Sequence, residues 1–145
     1  MGRKSDRPVP PPSLFCDASF LIALFAKEDR SHTRALKKHR LLQGHAVKLI
    51  TSWPVVSEAA TLLLYHYGYS TAVILFETLP AFQVMTPLEG DYQEAAALFR
   101  QFNKDQKLSL TDLLTCFLIR ERLKGIPVLT LDRDFSRMGL TVFGL

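Results

Sequence analysis

The chain has 145 residues, 48% of them hydrophobic, and a mean hydropathy of +0.09, which exclude a disordered protein and fit one globular domain. The longest apolar run near the N-terminus covers residues 20–26, far short of the roughly 20 residues of a membrane span, and no signal-peptide pattern is present. We therefore expect a cytoplasmic protein without membrane segments, whose formal charge of +4 suits a polyanionic partner without requiring one.

The predicted elements alternate between strands and helices. Residues 1–12 are expected to form a flexible, Pro-rich basic tail, because its prolines block regular pairing. One domain then covers residues 13–145. Its first elements are a strand over 14–16, a helix from Asp17 or Ala18 to about residue 26, a basic helix over 31–43, a strand over 47–51 and a helix over 52–67. Ser31 is predicted to be the N-cap of the basic helix.

The second half of the chain continues this alternation. Its predicted elements are a helix over 71–78, a strand over 82–85, an amphipathic helix over 90–103, a largely apolar helix over 111–124, and strands over 128–131 and 140–143. Short apolar strands that alternate with helices indicate a parallel sheet covered on both faces. We therefore predict an α/β fold, a three-layer α/β/α sandwich with a mostly parallel central sheet.

The two cysteines and the basic runs carry weaker information. Cys16 and Cys116 lie inside apolar runs, which favours buried, reduced thiols over a disulfide, and no Cys/His spacing resembles a zinc site. Two helical basic runs could be either solvated faces or a nucleic-acid surface. Their members are Arg34, Lys37, Lys38 and Arg40 in the first run, and Arg120, Arg122 and Lys124 in the second.

Four carboxylates lie where apolar runs meet helices or turns: Asp17, Glu58, Asp112 and Asp132. Two of them follow predicted strands, and the other two are expected in the first turns of helices. Since the carboxyl ends of parallel strands share one edge of the sheet, we expect the four to lie close together. They would repel one another unless a cation is bound, and two or three carboxylates are enough for each Mg²⁺. Such a site implies phosphodiester chemistry.

Each acid also has a structural interpretation. Asp17 could be the N-cap of the following helix, and Asp112 could be a first-turn acid beside Ser109. Asp132 and Asp134 could shape a turn. Taken singly, these interpretations are favoured for all but Glu58, whose helix is otherwise apolar. Their shared edge of the sheet favours the metal site when the acids are taken together.

Four segments resemble one family. They are 15–23 (FCDASFLIA), 51–58 (TSWPVVSE), 109–112 (SLTD) and 129–135 (LTLDRDF), each of which contains one of the four acids. In order and spacing they are similar to the PIN-domain nucleases, and among these to the small VapC-type toxins of toxin–antitoxin systems. The resemblance covers roughly residues 13–145. The Pro-rich extension departs from the small toxins, whose first strand usually begins within a few residues of the start.

The resemblance implies a Mg²⁺- or Mn²⁺-dependent endoribonuclease that leaves a 5′-phosphate and a 3′-hydroxyl. The four acids would bind metal and act in catalysis. Ser19 and Thr130 would orient carboxylates or water, and Asp134 would support the turn before Phe135. RNA is the implied substrate, with an antitoxin protein as a further possible partner. A homodimer is expected through the helices between residues 31 and 78, with the aromatic side chains Tyr65, Tyr67, Tyr69 and Phe76.

Further residues near the acids are assigned by proximity and chemistry. Arg133 and Arg137 follow Asp132 closely and are the candidates for contacts with RNA phosphates. The chemistry needs no histidine base, because a bound metal can activate the attacking water. All four histidines are therefore expected on the surface: His32, His39, His45 and His66.

The sequence disfavours two other protein classes and leaves two other roles of a PIN domain open. A haloacid-dehalogenase-type phosphatase is disfavoured because Asp132-x-Asp134 is followed by Phe135 and only ten further residues. A receiver domain would need a paired acid after the first strand and a late lysine, which the sequence lacks. A PIN domain that processes RNA without being a toxin, and a silent RNA-binding PIN module, both stay open. A small upstream reading frame for a DNA-binding antitoxin would favour the toxin.

Overall fold

The computed structural model describes residues 9–144 and contains a five-stranded sheet in which every pairing is parallel. The strands are β1 (Ser13–Cys16), β2 (Lys48–Ser52), β3 (Gln83–Met85), β4 (Val128–Leu129) and β5 (Val142–Phe143). Their order in the sheet is β3-β2-β1-β4-β5. The central strand β1 is buried on both faces, with Leu14, Phe15 and Cys16 fully inaccessible to solvent. This is why the strand reads as a continuous apolar run.

In the described part of the chain, seven α-helices flank the sheet. They are α1 (Ala18–Phe25), α2 (His32–Gly44), α3 (Trp53–Tyr67), α4 (Tyr69–Thr78), α5 (Glu89–Phe102), α6 (Leu110–Arg122) and α7 (Asp134–Arg137). Helix α1 packs against α2, α3 and α4, helix α3 packs against α4, and α5 packs on α6. The predicted three-layer α/β/α sandwich is confirmed. None of the helices in residues 9–144 is long and apolar enough to cross a membrane.

The strand order creates a switch point in the sheet. From β1 the chain moves outward through β2 to β3, and it then returns to place β4 on the other side of β1. In open parallel sheets, ligands bind outside the carboxyl ends of the strands where the order reverses in this way. Asp17 directly follows β1, and Asp132 follows β4 after two intervening residues. The topology therefore places these two acids at the switch point.

The predicted helices and strands agree with the structure to within about two residues, with two instructive differences. The helix α7 was not predicted, because a single turn leaves little periodicity in the sequence. Strand β4 ends at Leu129 rather than at residue 131. The backbone N–H groups of Leu131 and Asp132 donate instead to the hydroxyls of Ser19 and Thr130, which replace partners in a strand ladder.

Some local predictions are corrected. Ser31 occupies the N-cap position of α2, but its hydroxyl makes no capping bond and instead accepts from Arg34 Nη2 at 3.3 Å. Two histidines are not on the open surface: His32 and His39 are partly buried, and His39 stacks on Phe82. Burial lowers the pKa of His39. Both cysteines are buried, unpaired thiols, as predicted.

The predicted tail falls mostly on residues 1–8, which lie outside the described part of the chain. Within residues 9–12, Pro10 is buried and the Pro12 carbonyl accepts the Lys48 backbone N–H at 2.9 Å. The last residues before β1 are therefore hydrogen-bonded to the first residue of β2.

Candidate active site

Asp17 is a buried carboxylate whose two oxygens are both hydrogen-bonded. It is 5% exposed, and Oδ1 accepts from the Ser19 hydroxyl at 2.8 Å and from the Phe20 backbone N–H at 3.2 Å. Its other oxygen, Oδ2, accepts from the Thr130 hydroxyl at 2.6 Å. Burial raises the pKa of Asp17 to about 6, against the opposing effect of these hydrogen bonds. The bond to Phe20 shows that Asp17 is also the N-cap of α1.

Ser19 and Thr130 connect this carboxylate to the loop after β4. Each hydroxyl has one proton, and each can donate it to a different oxygen of Asp17. The Ser19 oxygen then accepts the Leu131 backbone N–H across the sheet edge at 2.9 Å, and the Thr130 oxygen accepts the Asp132 backbone N–H within its own loop at 2.8 Å. Two hydroxyls thus fix the start of α1 against the end of β4. Their part in catalysis stays a prediction.

Asp112 lies in the first turn of α6, where the hydroxyl of the N-cap Ser109 accepts its backbone N–H at 3.0 Å. Burial is the main reason why the pKa of Asp112 is raised to about 7, and repulsion from Asp132, Glu58 and Asp17 adds to it. The carboxylate therefore feels the charges of the other three acids. We call these four residues the acidic quartet: Asp17, Glu58, Asp112 and Asp132.

Glu58 is the sixth residue of α3, so it stands in the second turn rather than in the first turn as predicted. The apolar neighbours along α3 explain its partial burial, which raises its pKa, and the nearby charge of Asp132 raises that pKa further. Within residues 9–144, no backbone N–H donates to the carboxylate of Glu58 or of Asp112. Neither carboxylate forms an ion pair there.

Asp132 shapes the turn that leads into α7. Its Oδ1 accepts the Asp134 backbone N–H at 2.9 Å. The side chain thus provides an acceptor for an N–H group at the start of α7, where no preceding helical turn supplies a carbonyl. Asp134 was expected to support this turn, but its carboxylate faces Arg137 Nη1 at 3.4 Å. The turn before Phe135 is therefore capped by Asp132 and not by Asp134.

The quartet fits a divalent cation by charge and by ligand type, but it is not a ready coordination site. Its donors are carboxylate oxygens, which suit Mg²⁺ and Mn²⁺. In the part of the chain that the structure describes, no lysine, arginine or histidine forms an ion pair with a quartet member. Over the same residues, no three acidic, imidazole or thiol side chains lie close enough together to hold one ion. The four acids form an electrostatically coupled set whose side chains would have to approach one another to share a cation.

Two basic candidates lie at the same edge. Arg133 is exposed and lines a cavity with Thr130, whereas the exposed Arg137 is engaged by Asp134. Sequence reasoning missed Arg30, which lines the same cavity from the turn between α1 and α2. An isolated arginine in a polar turn gives no signal in the sequence.

A buried acid outside the quartet was also missed. Asp91, 4% exposed, accepts the Leu88 backbone N–H at 2.9 Å and pairs with Arg122 Nη2 at 3.0 Å. These partners lower its pKa, with the Leu88 bond as the largest cause. Because it caps α5 and joins this helix to α6, we assign Asp91 a structural role.

A five-stranded parallel sheet with four carboxylates around its switch point matches a known class of protein. The family model of the PIN domain matches residues 14–140, and the chain belongs to the PIN-domain family. This confirms the resemblance seen in the sequence. A comparison with curated proteins gave no match.

Solved structures share the fold over most of the chain. VapC20 of Mycobacterium tuberculosis, a sarcin-ricin loop cleaving toxin, is 25% identical with a TM-score of 0.77, over 90% of this chain and 98% of that chain. VapBC2 of Rickettsia felis, solved with a DNA fragment from its promoter, is 14% identical with a TM-score of 0.66, over 91% and 98%. FitAcB of Neisseria gonorrhoeae is 14% identical with a TM-score of 0.60, over 90% and 96%. The structural similarity to VapC-type proteins therefore extends over the whole domain.

Proposed function

We propose that the protein is a divalent-metal-dependent endoribonuclease in which the acidic quartet binds Mg²⁺ or Mn²⁺. The observation that carries the proposal is the placement of four carboxylates, none of which has an ion-pair partner among residues 9–144, around the switch point of a PIN fold. The similarity to VapC20 supports RNA as the substrate, because that protein cleaves the sarcin-ricin loop.

The residues of the chain would divide the work as follows. Glu58 and Asp112, whose carboxylates accept no backbone N–H within residues 9–144, would supply oxygen ligands that can still move. Asp17 would supply a ligand held in place by Ser19 and Thr130. A bound divalent cation would lower the pKa of the attacking water and stabilise the departing oxygen. Water oxygen would bond to phosphorus, the bond to the 3′-oxygen would break, and that oxygen would take a proton, which leaves a 5′-phosphate and a 3′-hydroxyl.

The biological role that we propose is that of a toxin in a type II toxin–antitoxin pair, with a cognate antitoxin as partner. Its support is the fold similarity to VapC20 and VapBC2. An RNA-processing PIN nuclease is the main alternative. Expression of the wild type should arrest growth of a bacterial host while Glu58→Gln does not. Normal growth with active wild type would favour the processing enzyme.

The decisive experiment compares cleavage of single-stranded RNA by the purified chain with Mg²⁺, with Mn²⁺ and with EDTA. Glu58→Gln and Asp112→Asn should each lower the cleavage rate by roughly 100-fold or more, since each removes a metal ligand and, within residues 9–144, neither carboxylate accepts a backbone N–H. The matched control is Glu121→Gln, an exposed acid on α6 about 13 Å along the helix from Asp112. Full activity of both variants, or full activity in EDTA, would refute the metal-dependent nuclease. RNA binding without any cleavage by the wild type would identify a silent binding module instead.

A further inference from the structure

A cavity of about 660 Å³ opens beside the acidic quartet and is lined by three arginines. One wall is Thr130, whose hydroxyl donates to Asp17. The arginines are Arg30, Arg34 and Arg133, which come from the turn before α2, from α2 itself and from the residue before α7. Two separate segments of the chain, residues 30–34 and the loop before α7, thus bring guanidinium groups to one opening next to the proposed reaction centre.

The cavity keeps most of this positive charge. Among residues 9–144 its one lining carboxylate is Asp29, which is already engaged: Oδ1 accepts the Ser31 backbone N–H at 2.8 Å and Oδ2 accepts from the Tyr67 hydroxyl at 3.5 Å. All three arginines are exposed. Over residues 9–144 there are two ion pairs, and neither includes a cavity arginine. Exposed guanidinium groups without carboxylate partners are well suited to bind phosphate oxygens.

The basic surface continues along α2. A second cavity of about 220 Å³ shares Arg34 with the first and is otherwise lined by Lys37, Lys38 and Leu41. Lys38 also lies over the Phe143 ring, with its Nζ 4.8 Å from the ring centroid, so its stem is held against the end of β5. Because the two cavities share Arg34, the cations form a continuous path that leads away from Thr130.

The second basic run of the sequence is used differently. Arg120 donates to the Met138 carbonyl, and Arg122 pairs with the buried Asp91. These two arginines hold α6 against its neighbours. The two runs therefore differ in their surroundings: Arg34, Lys37 and Lys38 of the first run line the two cavities, whereas Arg120 and Arg122 of the second bind to other parts of the domain.

We propose that Arg30, Arg34 and Arg133, continued by Lys37 and Lys38, form a binding track for the phosphates of single-stranded RNA on one side of the scissile bond. This inference rests on the proposed ribonuclease function and names the surface that holds the flanking nucleotides. The track begins at Thr130, so the nucleotides nearest the quartet contact Arg133 and Arg30, and those further away contact Arg34 and the lysines.

The test measures binding of a labelled oligouridine to Glu58→Gln protein, which leaves the RNA intact, over a range of salt concentrations. Arg30→Ala/Arg34→Ala/Arg133→Ala in that background should weaken binding roughly 100-fold at 0.1 M salt and flatten the salt slope by about 2, as expected for three lost phosphate contacts. The control variant Arg40→Ala/Arg100→Ala/Lys104→Ala removes the same charge from exposed positions outside both cavities and should change binding less than about 5-fold.

The outcomes separate this inference from the proposed function. Equal effects of the two triple variants, with an active wild type, would overturn the track and leave the nuclease intact. A wild type that neither cleaves nor binds RNA would overturn both. A labelled polyglutamate peptide is the second probe: if the arginine variant loses this peptide and keeps the oligouridine, the cavity binds acidic protein segments and the track is wrong. Thermal melting of both variants checks that they fold.

Discussion

The Thr130 hydroxyl donates to Asp17 Oδ2 at 2.6 Å and accepts the Asp132 backbone N–H at 2.8 Å, so one side chain connects two members of the acidic quartet. The connection crosses from the end of β4 to the start of α1. It makes the position of Asp132 depend on the carboxylate of Asp17. Thr130 is only 2% exposed, so one buried hydroxyl supplies a hydrogen-bond partner to both the Asp17 carboxylate and the Asp132 backbone N–H. Substitutions at Thr130 can therefore change the geometry of the quartet while its four carboxylates stay in place.

Thr130→Val keeps the size of the side chain but removes both hydrogen bonds. We expect metal affinity or cleavage activity to fall about 10- to 100-fold, because groups that orient metal ligands typically contribute that much. Thr130→Ser keeps the hydroxyl and should retain most of the activity. Titration of RNA cleavage with Mn²⁺ measures the effect. Equal activity of the two variants would show that the hydroxyl does not orient the quartet.

The raised pKa of Asp112 predicts a stability that depends on pH in the metal-free protein. Its pKa is about 7 in the folded protein, against roughly 4 in an unfolded chain. Protonation of a carboxyl group whose pKa is raised stabilises the folded protein. This stability is complete below the pKa of the group in the unfolded chain and is lost as the pH rises to its pKa in the folded protein. Asp112→Asn should therefore be more stable than the wild type at pH 8, by roughly 2 kcal/mol after allowance for solvent screening of this partly exposed group, and should show a smaller difference at pH 5.

Urea denaturation in EDTA at pH 5, 6.5 and 8 measures this difference. Taking it relative to the wild type removes the contributions of other titrating groups, such as His39. The exposed control Glu121→Gln should show no such dependence on pH. If Asp112→Asn were less stable than the wild type at pH 8, the raised pKa of Asp112 would be disproved.

Gly139 is required by the turn after α7. Its φ of +82° is in the left-handed region, and an added Cβ would lie 2.8 Å from Arg120 Nη2, which donates to the neighbouring Met138 carbonyl. Gly139→Ala should destabilise the protein by about 1–3 kcal/mol through backbone strain and the displaced guanidinium. Gly90→Ala in α5, where the added Cβ meets open space, should instead stabilise it by up to about 1 kcal/mol. Thermal denaturation distinguishes the two.

The expected homodimer has a candidate surface on α3 and α4. An apolar groove of about 260 Å³ is lined by Leu64, Tyr69 and Phe76, and these side chains are 46%, 74% and 49% exposed. Tyr67, named with them from the sequence, is partly buried and faces Asp29. Leu64→Lys/Phe76→Glu should convert a dimer into a 16.4 kDa monomer in sedimentation. A monomeric wild type at micromolar concentration would refute the dimer.

The fold could be predicted because its signals are local and repeated. The apolar run of β1, the polar residues between successive elements and the helical periodicity of α5 each indicate the same α/β arrangement. The site was predicted only as a set of residues. The sequence could not show that Glu58 stands in the second turn of α3, or that Asp132 caps the turn assigned to Asp134. Those details depend on the exact start of α3 and on which of two neighbouring aspartates accepts the backbone N–H of the turn.

The cavity arginines show a different limit. Arg34 belongs to a visible basic run, but Arg30 and Arg133 reach the same opening only through the packing of the α1–α2 turn against the loop after β4. Likewise, nothing in the sequence distinguishes Arg122, which pairs with Asp91, from the cations that stay unpaired among the described residues. Charge composition is visible locally, whereas the partner of each charge is a property of the tertiary structure.

The hydrogen bonds of the quartet also have an evolutionary consequence. Asp17 caps α1 and Asp132 caps the turn into α7, so folding alone would retain both in a descendant that no longer cut RNA. The carboxylates of Glu58 and Asp112 accept no backbone N–H in residues 9–144, and burial, with repulsion from the other acids, raises their pKa values and so destabilises the native state at neutral pH. In a lineage that has lost the nuclease activity, substitutions would therefore replace the acids at positions 58 and 112 first. Among related chains, those two positions, and not the better-connected aspartates, are the ones that should report whether the nuclease is still in use.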